Sequence, residues 1–238
     1  MKNRTLKKSI TAVVLLLGIV GLAQNQQITL PLDSFYTKIK SEKNPQLIDA
    51  RSPEEFALNH IDGAVNFNLQ TENYAKYVAS LDKSKPVFIY SINIGRSGAL
   101  AKELLKNGFS EVHDLEGGIA NWIGGGKPFY SNSKSKLSLA DYKKIIAEND
   151  FVLVDIGSQY CGACKKVKPV LENIKAQYGS HLKIIEIDLE DNPQVIADLK
   201  TVNVFPYLIL YRKGRIAFKK EGLGDLKNDV DVALVQNN

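Results

Sequence analysis

Short apolar runs alternate with helix-patterned segments along this chain, and the alternation limits its possible folds more than any other feature. In the first half, Gln46–Ala50 and Pro86–Tyr90 are predicted to be buried strands. The segment Arg96–Asn107 is predicted to be a helix that ends at Gly108. Strands separated by helices form parallel sheets with helices on both faces. We therefore predict an α/β fold with such a sheet in the first half.

The second half alternates in a different order. Its predicted strands are Phe151–Ile156, Leu182–Ile187, Tyr207–Tyr211 and Ile216–Lys220. Helices are predicted to start at Lys165, at Pro193 and at about Asp225. The last two strands are predicted to form a hairpin, which gives the order α-β-α-β-α-β-β-α.

A Ser- and Lys-rich stretch at 131–136 follows a Gly-rich segment and is typical of a linker. With 238 residues, the chain has room for two domains of roughly 100 residues each. We predict domains at 28–130 and 137–238.

Residues 1–23 have the pattern of a cleavable signal peptide. A basic stretch, Met1–Lys8, precedes the apolar run Ile10–Ala23. This run has 14 residues, fewer than the roughly 20 that cross a bilayer. Gly21 and Ala23 are the small residues expected before cleavage at Gln24. The pattern predicts a periplasmic or secreted protein, and an uncleaved membrane anchor is the alternative.

Charge gives no reason to expect a polyanionic partner. The whole chain carries a formal charge of +5, but the first 23 residues contain four basic side chains and no acid. Without them, 27 basic side chains face 26 acidic ones. We therefore expect no nucleic-acid partner and no stable membrane association after signal cleavage.

The only two cysteines form the motif Cys161-Gly162-Ala163-Cys164. Closing so short a loop removes little unfolded-state entropy, so a purely structural disulfide is a poor explanation. Zinc usually takes about four ligands, and the sequence has no second Cys pair or nearby His cluster, His181 being isolated. Redox chemistry is favoured over a metal site or two inert core thiols.

A strand, a CxxC motif and then a helix place a thiol where backbone N–H groups are unpaired and partly positive. Three basic side chains follow the motif: Lys165, Lys166 and Lys168. Such surroundings lower a thiol pKa into about the 3.5–7.5 range. We predict Cys161 to be the exposed attacking thiol and Cys164 to be the resolving thiol.

Residues 137–238 resemble the thioredoxin family. The resemblance rests on Val154-Asp155, Tyr160-Cys161-Gly162-Ala163-Cys164-Lys165, Pro169, Phe205-Pro206 and Gly222. It implies that Asp155 is a buried acid relaying a proton to Cys164. It also implies that Tyr160, Phe205 and Pro206 line a substrate groove beside Gly222.

Several positions depart from the thioredoxin pattern. Tyr160 and Gly157 stand where tryptophan is common, and Ala163 stands where proline is common. Ile184 is predicted to occupy the place of a lysine that often faces the buried aspartate.

Residues 28–130 resemble the rhodanese family. The matching segments are Leu47–Phe56, His60–Asn66 and Leu115–Trp122. Asp49 and His60 in these segments are predicted to be structural hydrogen-bonding groups.

Rhodaneses carry sulfur on a cysteine in a loop of the form Cys-x-x-x-x-Arg, cradled by N–H groups. Here the loop runs from Ser91 to Arg96, so its length and arginine persist without the cysteine. Serine cannot carry a persulfide, and we expect no sulfur transfer. An anion-sized cradle or a recognition surface is what would remain.

These observations predict a thiol–disulfide oxidoreductase that needs no bound cofactor or metal. Its expected partners are protein thiols or disulfides and an unidentified redox protein, with the rhodanese-like half as a binding module. Alternatives are a sulfur-trafficking protein that reduces persulfides, or a binding protein with minor redox activity.

Overall fold

The computed structural model describes residues 26–235, so the predicted signal peptide lies outside the described residues. Strands β1–β7 of the N-terminal half are Gln26–Leu30, Gln46–Asp49, Asn59–His60, Val65–Asn66, Val87–Tyr90, Glu111–Leu115 and Tyr130–Ser131. Helices α1–α5 are Leu32–Ser41, Pro53–Leu58, Tyr74–Ser80, Ile94–Lys106 and Gly118–Gly124.

Five strands of this half form a parallel sheet in the order β1-β6-β5-β2-β4. Alternate residues of β5 point to opposite faces, because side chains alternate along a strand. Phe88 and Tyr90 join an apolar cluster with residues of α1 and α5. Val87 and Ile89 join another with residues of α3 and α4. Helices therefore cover both faces, as predicted.

Helix α4 begins two residues earlier than predicted. The Asn93 side chain accepts a hydrogen bond from the Ile94 N–H at 3.0 Å. A side-chain oxygen in this position satisfies one of the free N–H groups that a helix start leaves. The helix therefore begins at Ile94, inside the loop that carries Ser91.

Up to residue 235, where the described residues end, the C-terminal half has four strands and four helices. Strands β8–β11 are Phe151–Gly157, Lys183–Asp188, Tyr207–Arg212 and Arg215–Glu221. Helices α6–α9 are Leu139–Glu148, Lys168–Tyr178, Pro193–Leu199 and Leu226–Val235. Short 3₁₀ turns span Cys164–Lys166 and Gly179–His181.

The sheet order is β11-β10-β8-β9, with β8 parallel to β9 and antiparallel to β10. Residues of α6 and α8 pack on one face of β8, and residues of α7 and α9 pack on the other. The predicted α-β-α-β-α-β-β-α order and the hairpin are both observed.

The helix predicted to start at Lys165 is divided into the Cys164–Lys166 turn and α7. Pro169 lies in the first turn of α7. Proline has no N–H to donate to an earlier carbonyl, so the helical hydrogen bonds are interrupted there.

Among residues 26–235, no helix is long and apolar enough to cross a membrane. No group of three or more His, Cys, Asp or Glu side chains in that range is placed to hold a metal ion.

Candidate functional site

The cysteine pair lies just beyond the carboxyl end of β8, where the chain turns into the 3₁₀ turn that precedes α7. Cys161 and Cys164 form a disulfide with their Cα atoms 5.3 Å apart. The backbone N–H of Cys164 donates a hydrogen bond to Cys161 Sγ at 3.2 Å. A donor in this position stabilises negative charge on the sulfur, which favours Cys161 as the attacking thiolate.

The expectation of an exposed Cys161 is wrong for this disulfide form. Cys161 is only 4% exposed and Cys164 7%, whereas Gly162 and Ala163 between them are exposed. Cys161 belongs to a buried apolar cluster that also contains Phe205. Cys161 is therefore buried beside two small exposed residues and does not lie on an open surface.

Asp155 lies on β8 as the thioredoxin resemblance implies. The residue is 7% exposed, and its Oδ1 has no hydrogen-bond partner within the described chain. Burial, assisted by the nearby carboxylates of Glu186 and Asp188 and opposed by Lys168, raises the pKa of Asp155 to about 7. Asp155 and Cys164 line one cavity of about 90 Å³. The carboxyl group can therefore exchange a proton near neutral pH beside Cys164.

The prediction that Ile184 faces Asp155 is wrong. In the parallel pairing of β8 with β9, Ile184 lies beside Leu153, and Glu186 lies beside Asp155. Ile184 packs against the apolar cluster that contains Leu153. The position next to the buried aspartate is therefore acidic.

A buried glutamate that the sequence analysis missed holds the loop before the cysteines. Glu190 is 6% exposed. It accepts hydrogen bonds from the Ser158 hydroxyl and from the Gln159 N–H. Strands β8 and β9 run in parallel, so residues just after each strand meet at one sheet edge. The sequence signal that could have identified Glu190 is an acidic residue two positions after the end of β9.

Phe205 and Pro206 lie at the same edge of the sheet. Tyr207, the first residue of β10, pairs with Ile156, near the end of β8. The Phe205-Pro206 peptide bond is cis, and both residues are buried. The Pro206 carbonyl accepts a hydrogen bond from the Gly222 N–H at 2.9 Å. Tyr160 is half-buried, beside Cys161 in sequence.

The degenerate loop of the N-terminal half is closed by its own hydrogen bonds. Ser91 is fully buried, and its hydroxyl contacts the Asn93 carbonyl and the Ser97 hydroxyl. The Ser97 N–H donates to the same Ser91 oxygen at 3.3 Å. The space in which a sulfur atom would be cradled is thus filled by groups of the loop.

Arg96 is held by a carboxylate that the sequence analysis did not select. Its guanidinium makes two hydrogen bonds with Glu55, at 2.5 and 2.7 Å. Glu55 is 2% exposed and also caps α2 through Ser52. Because Arg96 is paired in this way, its charge is largely neutralised, and the predicted anion cradle is not formed.

Asp49 and His60 make the structural contacts expected of them. Asp49 is buried and pairs with the buried guanidinium of Arg51 at 2.7 Å. His60 Nδ1 lies 2.8 Å from the Phe56 carbonyl, and its ring stacks between Phe56 and Tyr130.

Each half of the chain is similar to a known domain family. The thioredoxin family model matches residues 133–232. The chain is 34% identical over 83 residues to thioredoxin of Porphyra purpurea, covering 77% of that protein and 34% of this chain. The chain belongs to the thioredoxin family. A rhodanese-like domain model matches residues 32–124, so the thioredoxin domain follows a rhodanese-like domain.

Two further proteins are similar to parts of this chain. An uncharacterized protein of Bacillus subtilis, YqhL, is 44% identical over 82 residues, which cover 34% of this chain and 64% of that protein. A solved structure of Plasmodium falciparum thioredoxin is 23% identical with a TM-score of 0.36, covering 40% of this chain and 92% of that chain. The cysteine pair of the present thioredoxin domain is that of a thiol–disulfide oxidoreductase.

The rhodanese-like domain packs directly on the thioredoxin domain beside its cis-proline loop. One apolar cluster includes residues from both: Ile119, Ala120, Trp122, Ile123, Val195, Ile196, Ala197, Val202 and Phe205. Two glycines allow close approach, because a Cβ on Gly117 would overlap the Asn203 carbonyl and a Cβ on Gly124 would overlap the Val202 carbonyl. Backbone of α5 and of the segment before Phe205 are therefore in contact.

Hydrogen bonds connect the segment between the domains to both of them. The Asn132 N–H donates to the Leu58 carbonyl of the rhodanese-like domain at 3.1 Å. The Lys136 N–H donates to the Asp191 carbonyl of the thioredoxin domain at 3.3 Å. The connection therefore adds to the apolar contact in fixing the two domains.

Proposed function

We propose that this chain is an exported thiol–disulfide oxidoreductase whose rhodanese-like domain forms one wall of the substrate groove. The observation that carries the redox part is the Cys161–Cys164 disulfide at the 3₁₀ turn that precedes α7. The Cys164 N–H bond to the Cys161 sulfur and the buried Asp155 behind Cys164 support the separate roles of the two thiols.

In the reducing direction, the Cys161 thiolate attacks a substrate disulfide. A bond forms between Cys161 and one substrate sulfur, and the other substrate sulfur leaves as a thiolate. Cys164 then gives its proton to Asp155 and attacks Cys161. The intramolecular disulfide forms, the substrate's second thiolate leaves, and two electrons pass from the dithiol to the substrate. The reverse sequence oxidises a substrate dithiol.

The position of the rhodanese-like domain supports a recognition role without sulfur chemistry. Gly124 of its α5 helix touches Val202, and Gly117 just before that helix touches Asn203, close to the Phe205-Pro206 segment. The Asn203 amide also bonds to Glu221 at 2.6 Å, next to Gly222. A protein substrate that approaches Pro206 therefore passes the rhodanese-like surface, whereas a small disulfide has less contact with it.

Single cysteine variants test the redox proposal. We expect Cys164→Ser to accumulate a mixed disulfide with insulin, because no resolving thiol remains. Cys161→Ser is expected to trap almost none and to lose insulin reduction, because the attacking thiol is absent. Mixed disulfides are measured by non-reducing electrophoresis and mass spectrometry.

The wild-type protein is the control, since it should resolve the intermediate and trap little. Equal trapping by both variants, or retained activity in Cys161→Ser, would show that the thiol roles are assigned wrongly. The direction of the reaction follows from the reduction potential: a value of about −270 mV favours a reductant and one of about −120 mV an oxidant.

Export is supported by the basic and apolar pattern of residues 1–23. We expect mature protein from a native-like host to begin at Gln24, as measured by N-terminal sequencing of soluble and membrane fractions. Recovery of an intact Met1 or Lys2 terminus in the membrane fraction would establish an anchor instead.

A further inference from the structure

Glu186 lies next to the buried carboxyl group of Asp155. The two residues are direct partners in the parallel pairing of β8 with β9. Asp188, two residues further along β9, pairs with Gly157 on the same edge. Side chains two residues apart share a face of a strand. Two further carboxylates are therefore on the Asp155 side of β9.

The groups around Asp155 line a small cavity. The cavity of about 90 Å³ is lined by Asp155, Gly157, Ser158, Gln159, Cys164, Lys165, Lys168, Glu186, Ile187 and Asp188. The charged or titratable members besides Asp155 are two carboxylates, two lysines and Cys164. On the other side, the β10 partner of Asp155 is Leu208, which has no charge.

Exposure separates the two adjacent carboxylates. Asp155 is buried and its Oδ1 has no partner in the described chain, whereas Glu186 is exposed. A negative charge on the exposed Glu186 side chain, beside a buried carboxyl group, disfavours loss of the proton from that buried group.

We propose that Glu186 is a positioning residue for thiol exchange, acting through its charge to keep a transferable proton on Asp155. This inference rests on the proposed role of Asp155 as the group that exchanges a proton with Cys164. When Cys164 resolves the mixed disulfide, its proton passes to ionised Asp155. When Cys164 leaves as a thiolate in the reverse step, protonated Asp155 returns the proton. Glu186 forms and breaks no bond in either step.

The resolving step can be followed with dithiobis(nitrobenzoate) as the substrate disulfide. The reduced full chain releases one thionitrobenzoate when Cys161 attacks and a second when Cys164 resolves the mixed disulfide. The rate of the second release should rise with pH around a midpoint near the Asp155 pKa of about 7. We expect the midpoint to fall by about half a pH unit in Glu186→Gln and about one in Glu186→Lys, because the charge changes by one and two units.

Glu172→Gln is the matched control, because Glu172 is exposed on α7 and does not line the cavity. Its midpoint should equal that of the wild type. Asp155→Asn should remove the midpoint near 7, and adding Glu186→Lys to it should change nothing further. A midpoint that persists in Asp155→Asn would overturn the proposed role of Asp155. If the midpoint near 7 is lost in Asp155→Asn but does not move in either Glu186 variant, the role of Glu186 alone is overturned.

Discussion

At the scale of single residues, burial of the Asp155 carboxyl group links proton transfer to a loss of stability. In the unfolded chain the group has an ordinary pKa of 3.8, and in the folded chain burial raises the pKa to about 7. The folded state therefore holds the proton more tightly between these values. This contribution to stability is greatest below the lower value, declines as pH rises, and is fully lost above about 7.

We predict that Asp155→Asn stabilises the protein at alkaline pH while slowing exchange. The variant removes a buried charge, so at about pH 8 its free energy of unfolding should exceed that of the wild type by about 4 kcal/mol. At about pH 3 the difference should nearly vanish, because Asp155 is then largely protonated in both the folded and the unfolded chain. Urea unfolding at both pH values measures this difference in the free energy of unfolding. Asp114 titrates in the same window, its pKa also raised to about 7 by burial, and it is unchanged in both proteins. A difference that does not vary with pH would contradict the linkage.

The position beside Asp155 could not be predicted by residue pattern alone. Ile184 and Glu186 are two residues apart on β9, so both point to the same face of the strand. Hydrophobic alternation identifies that face but not which residue pairs with Asp155. Pairing register decides it, and only the structure gives the register. By contrast, Cys161, Cys164 and Pro206 carry motif signals that do not depend on register.

At the scale of elements, the loop between β5 and α4 gives the next prediction. The full chain with both Cys161→Ser and Cys164→Ser should produce no thiocyanate from thiosulfate and cyanide. Adding Ser91→Cys should give little or none, because Ser91 is fully buried and Arg96 is paired with Glu55. Colorimetric thiocyanate measurement against heat-inactivated protein tests both. Clear turnover with Ser91→Cys would show that the loop opens into a working cradle.

The elements of the C-terminal half, and the strands β2 and β5 and helix α4 of the N-terminal half, could be predicted because their apolar runs are bounded by clear stop signals. Differences arise where a single side chain sets the boundary. Asn93 starts α4 earlier than the apolar pattern indicates, and Pro169 divides the predicted active-site helix. The closed state of the Ser91 loop also could not be predicted from the sequence, because it depends on Ser97 and on Glu55 from another helix.

At the scale of the whole molecule, the sequence predicts two domains but not their contact. Nothing in the pattern Gly117–Gly125 indicates that its glycines meet another domain, since glycines there are equally expected of a helix entry and a turn. The contact follows from the absence of a Cβ at Gly117 and Gly124, where carbonyl groups of the other domain occupy the space. Such long-range proximity is fixed only by tertiary packing.

Gly124→Ala provides the test of the groove wall. Alanine favours an isolated helix by about 1 kcal/mol over glycine. Any loss of domain docking or of insulin reduction must therefore come from overlap of the new Cβ with the Val202 carbonyl. We expect weaker docking of the domains and slower insulin reduction, by about fivefold, a change of about 1 kcal/mol in transition-state stabilisation. Reduction of dithiobis(nitrobenzoate), which contacts little beyond Cys161, should remain near the wild-type rate. Both rates are measured on the full chain.

Gly95→Ala in α4 is the matched control. Gly95 is also helical, has no positive φ, and a Cβ there meets nothing within 4 Å. It shares the helix-propensity gain of Gly124→Ala without the overlap, and both of its rates should match the wild type. Gly117 is less suitable, because its φ of +70° strains any side chain regardless of the contact. Insulin reduction in Gly124→Ala equal to that of Gly95→Ala would mean that the wall plays no part in protein recognition. Faster reduction would mean that the rhodanese-like domain obstructs the groove instead of guiding substrates into it.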